Sequence, residues 1–435
     1  MSEYQLPFSL NNPQSKYQQL LRLFSSRQWW LKKLRQKKLQ CVDQINRDLT
    51  VVNRYRQIYT SNYCVTARKN QLARNQKYLN THFAENDKGE RLSLLDIAKS
   101  NVSNPAVRRA EMMVRVKGFE MIANQKEHAC LFLTITAPSK MHSSYSKSGK
   151  KVKSYNGSSP KEVNDFLCHE YSLIRSKLER KGIRPYGLRV VEPHHDGTPH
   201  WHLLMFVEKK NVNRLKKIFK FYLSKPLIKK SHIKRRLEIE KIDITNQSAT
   251  GYVAKYISKN IDGEHVGDDF YGNDARETAR RIDAWASTWN IRQFQFMGGP
   301  SVTAWRELRK LRKKVSTKSI EPFRQAADAG DWAAYVLLMG GTNIKRSERP
   351  LQLLLKKEIS PYRNEQSKKK ICGVYTELEH EITRLTQWKI SSIEKVLNAE
   401  NTGRDAQAAR FGCSASWTSV NNCTGSYLPP PIPPD

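Results

Sequence analysis

Two strand-like segments joined by a short turn constrain the fold of this chain more than any other feature. The segments "YGLRVVEPH" (186–194) and "PHWHLLMFVE" (199–208) are rich in β-branched, aromatic and other apolar residues, a composition typical of strands. The residues "HDGTP" join them, and the Asp196-Gly197 pair is a strong turn signal. The pattern therefore predicts an antiparallel hairpin within a sheet.

The segments on either side of this hairpin alternate between strand and helix. "HACLFLTITAPS" (128–139) predicts a buried strand that ends at Pro138, and "RRLEIEKID" (235–243) predicts another strand. Helices are predicted between them, at about residues 160–181, 211–223 and 251–262. This order predicts an α+β fold with a central antiparallel sheet and flanking helices.

The rest of the chain divides into three parts. Residues 1–125 carry apolar residues at helical spacing with lysines and arginines between them, which predicts a basic helical N-terminal domain. The α+β domain is then expected to cover residues 126–320. Residues 321–400 are predicted to form a helical C-terminal region, and residues 401–435, which end in "SYLPPPIPPD", a disordered proline-rich tail.

The charge of the chain limits its partners. Lysine plus arginine number 76 against 41 aspartates and glutamates, a formal net charge of +35 that favours a polyanionic partner. No segment approaches the ~18 to 20 apolar residues of a spanning helix, and the first residues lack the pattern of a signal peptide. The seven cysteines form no CxxC pair, which fits a reducing cytoplasm. We therefore expect a cytoplasmic nucleic-acid-binding protein without a membrane partner.

The hairpin carries side chains that bind metals. Residues i and i+2 of a strand point to the same face, so His200 and His202 present two imidazoles side by side. Glu192 and His194 share a face of the preceding strand, and pairing across the turn would bring a carboxylate or a third imidazole to the pair. Two imidazoles and one carboxylate leave open positions on a divalent metal. The competing interpretation is a polar hairpin that binds nothing, and the hairpin alone does not decide between the two.

Two tyrosines follow the histidines by about fifty residues. Tyr252 and Tyr256 share one face of the predicted helix, and Lys255 and Lys259 share an adjacent face. In isolation the tyrosines are better explained as part of an apolar stripe. Beside a metal that polarises a phosphodiester, however, a phenol could attack DNA phosphorus, forming a phosphotyrosine and freeing a 3′ hydroxyl. Two such phenols would allow two successive strand transfers, as a replication nickase requires.

The order of three segments resembles a known group of enzymes. "FLTITAPS", "PHWHLL" and "YVAKYISK" follow one another as do the motifs of HUH endonucleases, which start rolling-circle replication. More closely, the chain is similar to the replication gene A family of Peduovirus-like temperate phages, from about Trp29 to Gly341. "SNPAVRRAEMMVRVKGFE" and "RQFQFMGGPSVTAWRELR" share that family's character. The resemblance implies the HUH version of a ferredoxin/RRM-like sheet.

The resemblance also implies a metal site. His200 and His202 would ligate Mg²⁺ or Mn²⁺. It does not settle the third ligand, for which we expect Glu192, with His194 as the alternative, since both belong to the inner face of the partner strand.

The same resemblance implies roles for the residues of the tyrosine helix. Tyr252 and Tyr256 would be alternating nucleophiles that form 5′-phosphotyrosine links. Lys255 would support the charge of the phosphate or phenolate, and Lys259 would contact DNA phosphate.

The activity that follows is that of a site-specific, single-strand DNA endonuclease and ligase. It would nick an origin, keep the 5′ end covalently, and initiate phage rolling-circle replication in the cytoplasm of a bacterial host. The sequence has no GxxxxGK[ST] stretch, so we expect the host to supply helicase, polymerase and single-strand-binding protein.

Two other functions remain open on the sequence. One is a non-catalytic basic nucleic-acid-binding protein with a structural zinc, although such sites usually include cysteines and the cysteines here lie far from the histidines. The other is an HUH relaxase or transposase, although these differ in the number of tyrosines and in the placement of the histidines.

Overall fold

A computed structural model describes residues 24–227, 230–244, 248–264, 272–359 and 367–393, together with Leu21, Asn246 and Gly267. The predicted proline-rich tail at residues 401–435 lies outside the described residues.

The described chain combines helices with antiparallel sheets, as the sequence predicts. Its α-helices are α1 (Arg27–Asp48), α2 (Asn62–Thr81), α3 (Leu94–Lys99), α4 (Pro105–Gln125), α5 (Pro160–Arg180), α6 (Val212–Ser224), α7 (Ala249–Ile261), α8 (Ala275–Trp289), α9 (Val302–Leu308), α10 (Glu321–Asp328) and α11 (Trp332–Leu338). Its strands are β1 (His82–Asn86), β2 (Arg91–Ser93), β3 (Ala129–Thr136), β4 (Tyr186–Pro193), β5 (Pro199–Val207), β6 (Leu237–Ile242), β7 (Phe294–Met297), β8 (Gln352–Ile359), β9 (Ser367–Tyr375), β10 (His380–Ile382) and β11 (Trp388–Ser392).

A five-stranded antiparallel sheet lies at the centre of the fold, in the order β6-β3-β5-β4-β7. The predicted hairpin is confirmed as β4 and β5, and its partner β3 is the strand predicted from "LFLTIT". β7, which the sequence analysis did not predict, pairs with β4 at one edge.

Helices cover both faces of this sheet, which explains why its central strands β3, β4 and β5 are almost entirely buried. One face packs against α5, α6 and Trp285 of α8, and its strand residues include Leu131, Leu133, Trp201, Leu203 and Met205. The opposite face packs against α4, α7, α9 and α11, and its strand residues include Phe132, Leu188, Val190, Leu204 and Phe206. The tyrosine helix α7 therefore lies on the second face.

The N-terminal region is not purely helical and is joined to the sheet. The short strands β1 and β2 interrupt its helices, and α4 contributes Val116, Phe119 and Ile122 to the core beneath the sheet. β1 also pairs with β11 from the other end of the described chain, Phe83 opposite Ser391.

Residues 321–400 were expected to be helical, but the described α-helices of this region end at Leu338. Strands β8 to β11 follow, and β8, β9 and β10 form a separate three-stranded sheet. The strand state depends on cross-strand pairing, such as Leu353 with Val374, which helical periodicity cannot detect. No helix of the described residues combines the length and the apolar character needed to cross a membrane.

Arg47 connects α1 to the histidine hairpin. Its side chain is fully buried and donates hydrogen bonds to the Asp196 carbonyl oxygen (2.9 Å), the Thr198 hydroxyl (3.1 Å) and the Ser158 carbonyl oxygen (2.8 Å). The turn of the hairpin is thus held by a residue about 150 positions earlier in the chain.

Arg47→Met is expected to lower the free energy of unfolding by about 3 kcal/mol, because it leaves buried acceptors without a charged donor. Urea denaturation followed by tryptophan fluorescence would measure the change. The matched control is Arg35→Met at an exposed position of the same helix, with an expected change below about 0.5 kcal/mol. Equal destabilisation by the two substitutions would contradict the role of Arg47.

Candidate active site

The register of the hairpin places Glu192, His200 and His202 on one face of the sheet. Glu192 of β4 lies opposite His200 of β5, and residues facing one another across a ladder share a face. His202, two positions along β5, shares that face as well. Together they form a group of potential ligand atoms that all lie within 4.8 Å of one another.

The donor atoms of these three residues fit a divalent cation. The Nε2 atoms of His200 and His202 are 2.9 Å apart, close to the ~3 Å between adjacent ligands of an octahedral ion with bonds of ~2.1 Å. Glu192 Oε2 lies 3.6 Å from His202 Nε2 and 3.9 Å from His200 Nε2. Thr134 Oγ1 is 3.1 Å from His202 Nδ1, and a hydrogen bond there leaves Nε2 free to bind a metal.

The electrostatics of the group favour metal-binding protonation states. Burial alone would raise the pKa of Glu192, but the charge of Lys259 and hydrogen bonding with His202 and Asn260 lower that pKa to about 2. Burial, together with the neighbouring His194 and His202, lowers the pKa of His200 well below its ordinary value. At neutral pH Glu192 is therefore an anion and His200 a neutral imidazole, the forms in which both bind cations.

His194, the alternative third ligand, lies beside the group. Its ring is 4.1 Å from that of His200, centroid to centroid, and it is not one of the three clustered ligands. Burial, followed by the nearby His142, lowers the pKa of His194 to about 3. His195 lies in the turn, as predicted, and its carbonyl oxygen accepts a hydrogen bond from the Tyr59 backbone N–H.

Asp196 fixes the turn of the hairpin. Its carboxylate is fully buried and accepts hydrogen bonds from the Ser143 N–H (2.9 Å), the Thr198 N–H (3.0 Å) and the Thr198 hydroxyl (2.9 Å). The Nδ1 atom of His142 lies 3.3 Å from the same carboxylate. The ligand residues are therefore attached to a turn that is rigidly hydrogen-bonded.

The tyrosine helix α7 is anchored at its N-terminus and along its apolar face. The Ser248 side chain caps the helix by accepting a hydrogen bond from the Gly251 N–H (3.1 Å). Glu120 of α4 accepts hydrogen bonds from the Ala249 N–H (2.6 Å) and the Thr250 hydroxyl (2.7 Å). Val253 and Ile257 are fully buried against the sheet, as an amphipathic helix requires.

The two tyrosines lie next to the histidine cluster. The Tyr256 ring is 4.4 Å from the His202 ring and 6.2 Å from the Tyr252 ring, centroid to centroid. Phe132 lies 4.8 Å from the Tyr252 ring and 5.1 Å from the Tyr256 ring. Lys255 Nζ lies 4.8 Å from the Tyr252 centroid and 5.3 Å from the Tyr256 centroid. The structure thus brings the predicted tyrosines and Lys255 to the same face as the predicted ligands.

Asn260 connects the tyrosine helix to Glu192. Its Nδ2 atom donates hydrogen bonds to Glu192 Oε1 and to the Tyr256 carbonyl oxygen, the latter at 2.7 Å. The Asn260 side-chain oxygen, Oδ1, accepts a hydrogen bond from Gln293 Nε2 (3.3 Å). Lys259, expected to contact DNA phosphate, lies with its Nζ 3.5 Å from Glu192 Oε2, and its contact with DNA stays a prediction.

Neither phenol is ionised at neutral pH. Burial, followed by the negative charge of Glu192, raises the pKa of Tyr256 to about 12. Burial, followed by a hydrogen bond to Glu240, raises the pKa of Tyr252 as well. Each tyrosine would have to lose its proton during a reaction rather than before it.

Three residues of this site escaped the sequence analysis. Asn260 follows Tyr256 by four positions, so its place on the same helical face was detectable from spacing. Thr134 and Glu240 meet the site through the registers of β3 with β5 and of β3 with β6, for which the sequence offers no local signal.

Asn260→Ala is expected to weaken Mn²⁺ binding by about 10- to 100-fold, because Glu192 loses the donor that orients it. Isothermal titration of the purified protein with MnCl₂ would measure the change. Asn211→Ala removes a comparable hydrogen bond, to the exposed Glu208, and is expected to leave the Mn²⁺ affinity unchanged. Unaltered Mn²⁺ affinity in Asn260→Ala would show that Asn260 does not orient a ligand.

The fold and the site together define a class of protein: an antiparallel α+β protein with a histidine–carboxylate group on its central sheet and a pair of tyrosines beside it. The family model of the bacteriophage replication gene A proteins (GPA) matches residues 10–264. The chain belongs to this family, as its sequence motifs indicate.

Individual relatives agree with this assignment. The chain is 39% identical over 431 residues to the replication gene A protein of Escherichia phage 186, covering 95% of this chain and 60% of that protein. It is 35% identical over 418 residues to the probable replication protein P12 of Pseudoalteromonas phage PM2, covering 93% and 61%. It is 30% identical over 416 residues to a probable replication endonuclease from a prophage-like region of Salmonella paratyphi A, covering 91% and 51%.

The chain spans about half to three-fifths of the length of these relatives. No solved structure matches it significantly. The α+β class and the family are therefore established, and the HUH version of the fold stays a prediction.

Proposed function

We propose that this chain is a DNA-nicking and DNA-joining enzyme that cuts one strand of a replication origin and initiates phage rolling-circle replication. The observation that carries the proposal is the position of Tyr256, whose ring lies 4.4 Å from that of His202 in a group of two imidazoles and one carboxylate. A candidate nucleophile and a potential cation site thus lie on one face of the sheet. The relative from Salmonella paratyphi A is named a probable replication endonuclease, which supports the same activity.

The residues of the chain would divide the reaction between them. Glu192, His200 and His202 would hold Mg²⁺ or Mn²⁺, which when bound would polarise the scissile phosphodiester and stabilise its developing charge. The Tyr256 or Tyr252 hydroxyl oxygen would attack the phosphorus, forming a 5′-phosphotyrosine as the 3′ oxygen leaves. Lys255, near both rings, would stabilise negative charge on the phenolate or phosphate.

The same chemistry explains strand joining. Because the phosphotyrosine keeps the energy of the phosphodiester bond, a 3′ hydroxyl can attack it and restore a continuous strand. A second tyrosine 6.2 Å away, centroid to centroid, permits a further cleavage while the first is occupied. These properties suit an initiator that must both open and close a circle.

The substrate and the product of the proposed reaction indicate the partners of the chain. The single-stranded origin region of DNA is the substrate, and the net charge of +35 supports its binding. The free 3′ hydroxyl is a primer, so a polymerase, a helicase and a single-strand-binding protein of the bacterial host would act next, in the host cytoplasm.

A nicking assay tests the proposal directly. Supercoiled plasmids that carry successive segments of the genome encoding this chain would be incubated with the purified protein and MnCl₂ or MgCl₂. We expect one segment to yield open circles whose 5′ end stays attached to the protein after denaturation. Cleavage that leaves a free 5′ end, or the absence of cleavage in every segment, would contradict the proposed function.

A further inference from the structure

The hydroxyl of Tyr252 is bonded to a carboxylate outside the histidine cluster. Tyr252 Oη donates a hydrogen bond to Glu240 Oε2 at 2.7 Å. Glu240 lies on the edge strand β6, opposite Phe132 of β3, and therefore shares the face on which Phe132 contacts both tyrosine rings. Glu240 is exposed, so water reaches its carboxylate.

We propose that Glu240 is a catalytic residue that accepts the proton of Tyr252 when this tyrosine attacks a DNA phosphate. The inference rests on the proposed nicking function and adds to it the group that removes the proton from one of the two nucleophiles.

The geometry meets the first requirement for a general base. A base must lie within about 2.6 to 3.2 Å of the atom whose proton it takes, and the Oη–Oε2 distance is inside this range. Glu192, a carboxylate near Tyr256, accepts a hydrogen bond from Asn260 and lies 3.5 Å from Lys259 Nζ, so its oxygens already have partners within the histidine cluster. Lys255, as a cation, can stabilise charge but cannot take up a proton.

The proposed step balances. The Tyr252 oxygen forms a bond to phosphorus, and its proton moves to Glu240 Oε2. The bond between phosphorus and the 3′ oxygen breaks, and its electron pair stays on that oxygen, which takes a proton from water and leaves as a hydroxyl. Glu240 then passes its proton to solvent, which restores the carboxylate. In strand joining, the 3′ oxygen bonds to phosphorus and gives its proton to water, while the bond between phosphorus and the Tyr252 oxygen breaks. Glu240, which first takes a proton from water, gives that proton to the departing Tyr252 oxygen.

The two tyrosines differ in their contact with Glu240. Glu240 contacts the hydroxyl of Tyr252, whereas the ring of Tyr256 lies against His202. Removal of the Glu240 carboxylate should therefore affect reactions of Tyr252 more than reactions of Tyr256.

The test uses full-length chains with one tyrosine each. Glu240→Gln is made in the Tyr256→Phe chain, which reacts only through Tyr252, and in the Tyr252→Phe chain, which reacts only through Tyr256. The substrate is a single-stranded oligonucleotide spanning the nick mapped in the plasmid assay, and covalent adduct is measured over time. Glutamine can still accept the tyrosine hydrogen bond, so the substitution removes the proton acceptor while keeping the contact.

We expect Glu240→Gln to slow adduct formation at Tyr252 by about 100-fold at neutral pH, and by at least tenfold more than at Tyr256. The loss at Tyr252 should shrink as the pH rises, because hydroxide then removes the proton. Glu127→Gln, at an exposed carboxylate that follows α4, should leave the rate at Tyr252 within about threefold.

Other outcomes would overturn the inference. Equal losses at the two tyrosines, a loss at Tyr252 that does not change with pH, or an adduct that Tyr252 never forms would each exclude Glu240 as its proton acceptor. If neither single-tyrosine chain formed an adduct, the proposed function itself would fail.

Discussion

The Tyr252→Phe/Tyr256→Phe chain should form no covalent DNA adduct, with the nicking rate reduced by at least about 10⁴-fold. The reason is the loss of both attacking oxygens, since phenylalanine keeps the ring contacts with Phe132 and His202 but has no hydroxyl. The fold should persist, because the hydrogen bond lost at Tyr252 is on the surface and contributes about 1 kcal/mol. The measurement is a denaturing gel of protein with end-labelled DNA, supported by a thermal melt.

A matched control tests whether the loss of any phenol affects adduct formation. Tyr63→Phe removes a phenol from an exposed position of α2, remote from the site in sequence, and should leave adduct formation unchanged. DNA binding by the double variant should also persist, because it depends on the positive charge of the chain. A double variant that nicks at the rate of the unmodified chain would rule out both tyrosines as nucleophiles.

His200→Ala and His202→Ala should each weaken Mn²⁺ binding by at least about 100-fold and reduce nicking in proportion. Each substitution removes one of the two Nε2 atoms that lie 2.9 Å apart, so the remaining ligands hold a cation poorly. Titration with MnCl₂ measures the affinity, and the plasmid assay measures the activity. The salt dependence of DNA binding should stay the same, since no lysine or arginine is changed.

The histidine variants also distinguish a catalytic from a structural metal. His380→Ala, at an exposed position of β10, is the control and should alter neither Mn²⁺ affinity nor nicking. If the cation were structural, removing a ligand would unfold the protein and abolish DNA binding as well. A folded, DNA-binding and inactive His202→Ala chain would therefore contradict the structural-zinc alternative.

Local patterns predicted the elements that carry the site. The Asp196-Gly197 turn and the apolar runs beside it predicted β4 and β5, and the helical periodicity of residues 251–262 predicted α7. The periodicity of apolar residues indicates which side of a helix or strand is buried, and the turn residues indicate where two strands are joined. The hairpin alone predicted that Glu192 or His194 would approach His200 and His202, because a two-strand register is a local property. The observed register places Glu192 opposite His200.

Contacts between distant segments were not predictable in this way. Glu240 reaches Tyr252 only because β6 pairs with β3 and α7 packs across that face of the sheet. Both the strand register and the position of the helix must therefore be known. The pairing of β1 with β11 joins residues about 300 positions apart. Periodicity describes which side of an element is buried, and it does not specify which element covers that side.

The attachment of α1 and α4 to the sheet sets a limit on how the chain can be shortened. Residue 126 is the predicted start of the α+β domain. A fragment that begins there would lack Arg47, which holds the hairpin turn, and the α4 residues of the sheet core. Such a fragment would expose apolar sheet surface and leave Asp196 and Thr198 without their charged donor. A shortened chain meant to keep the proposed activity should therefore begin upstream of α1 and include Arg47.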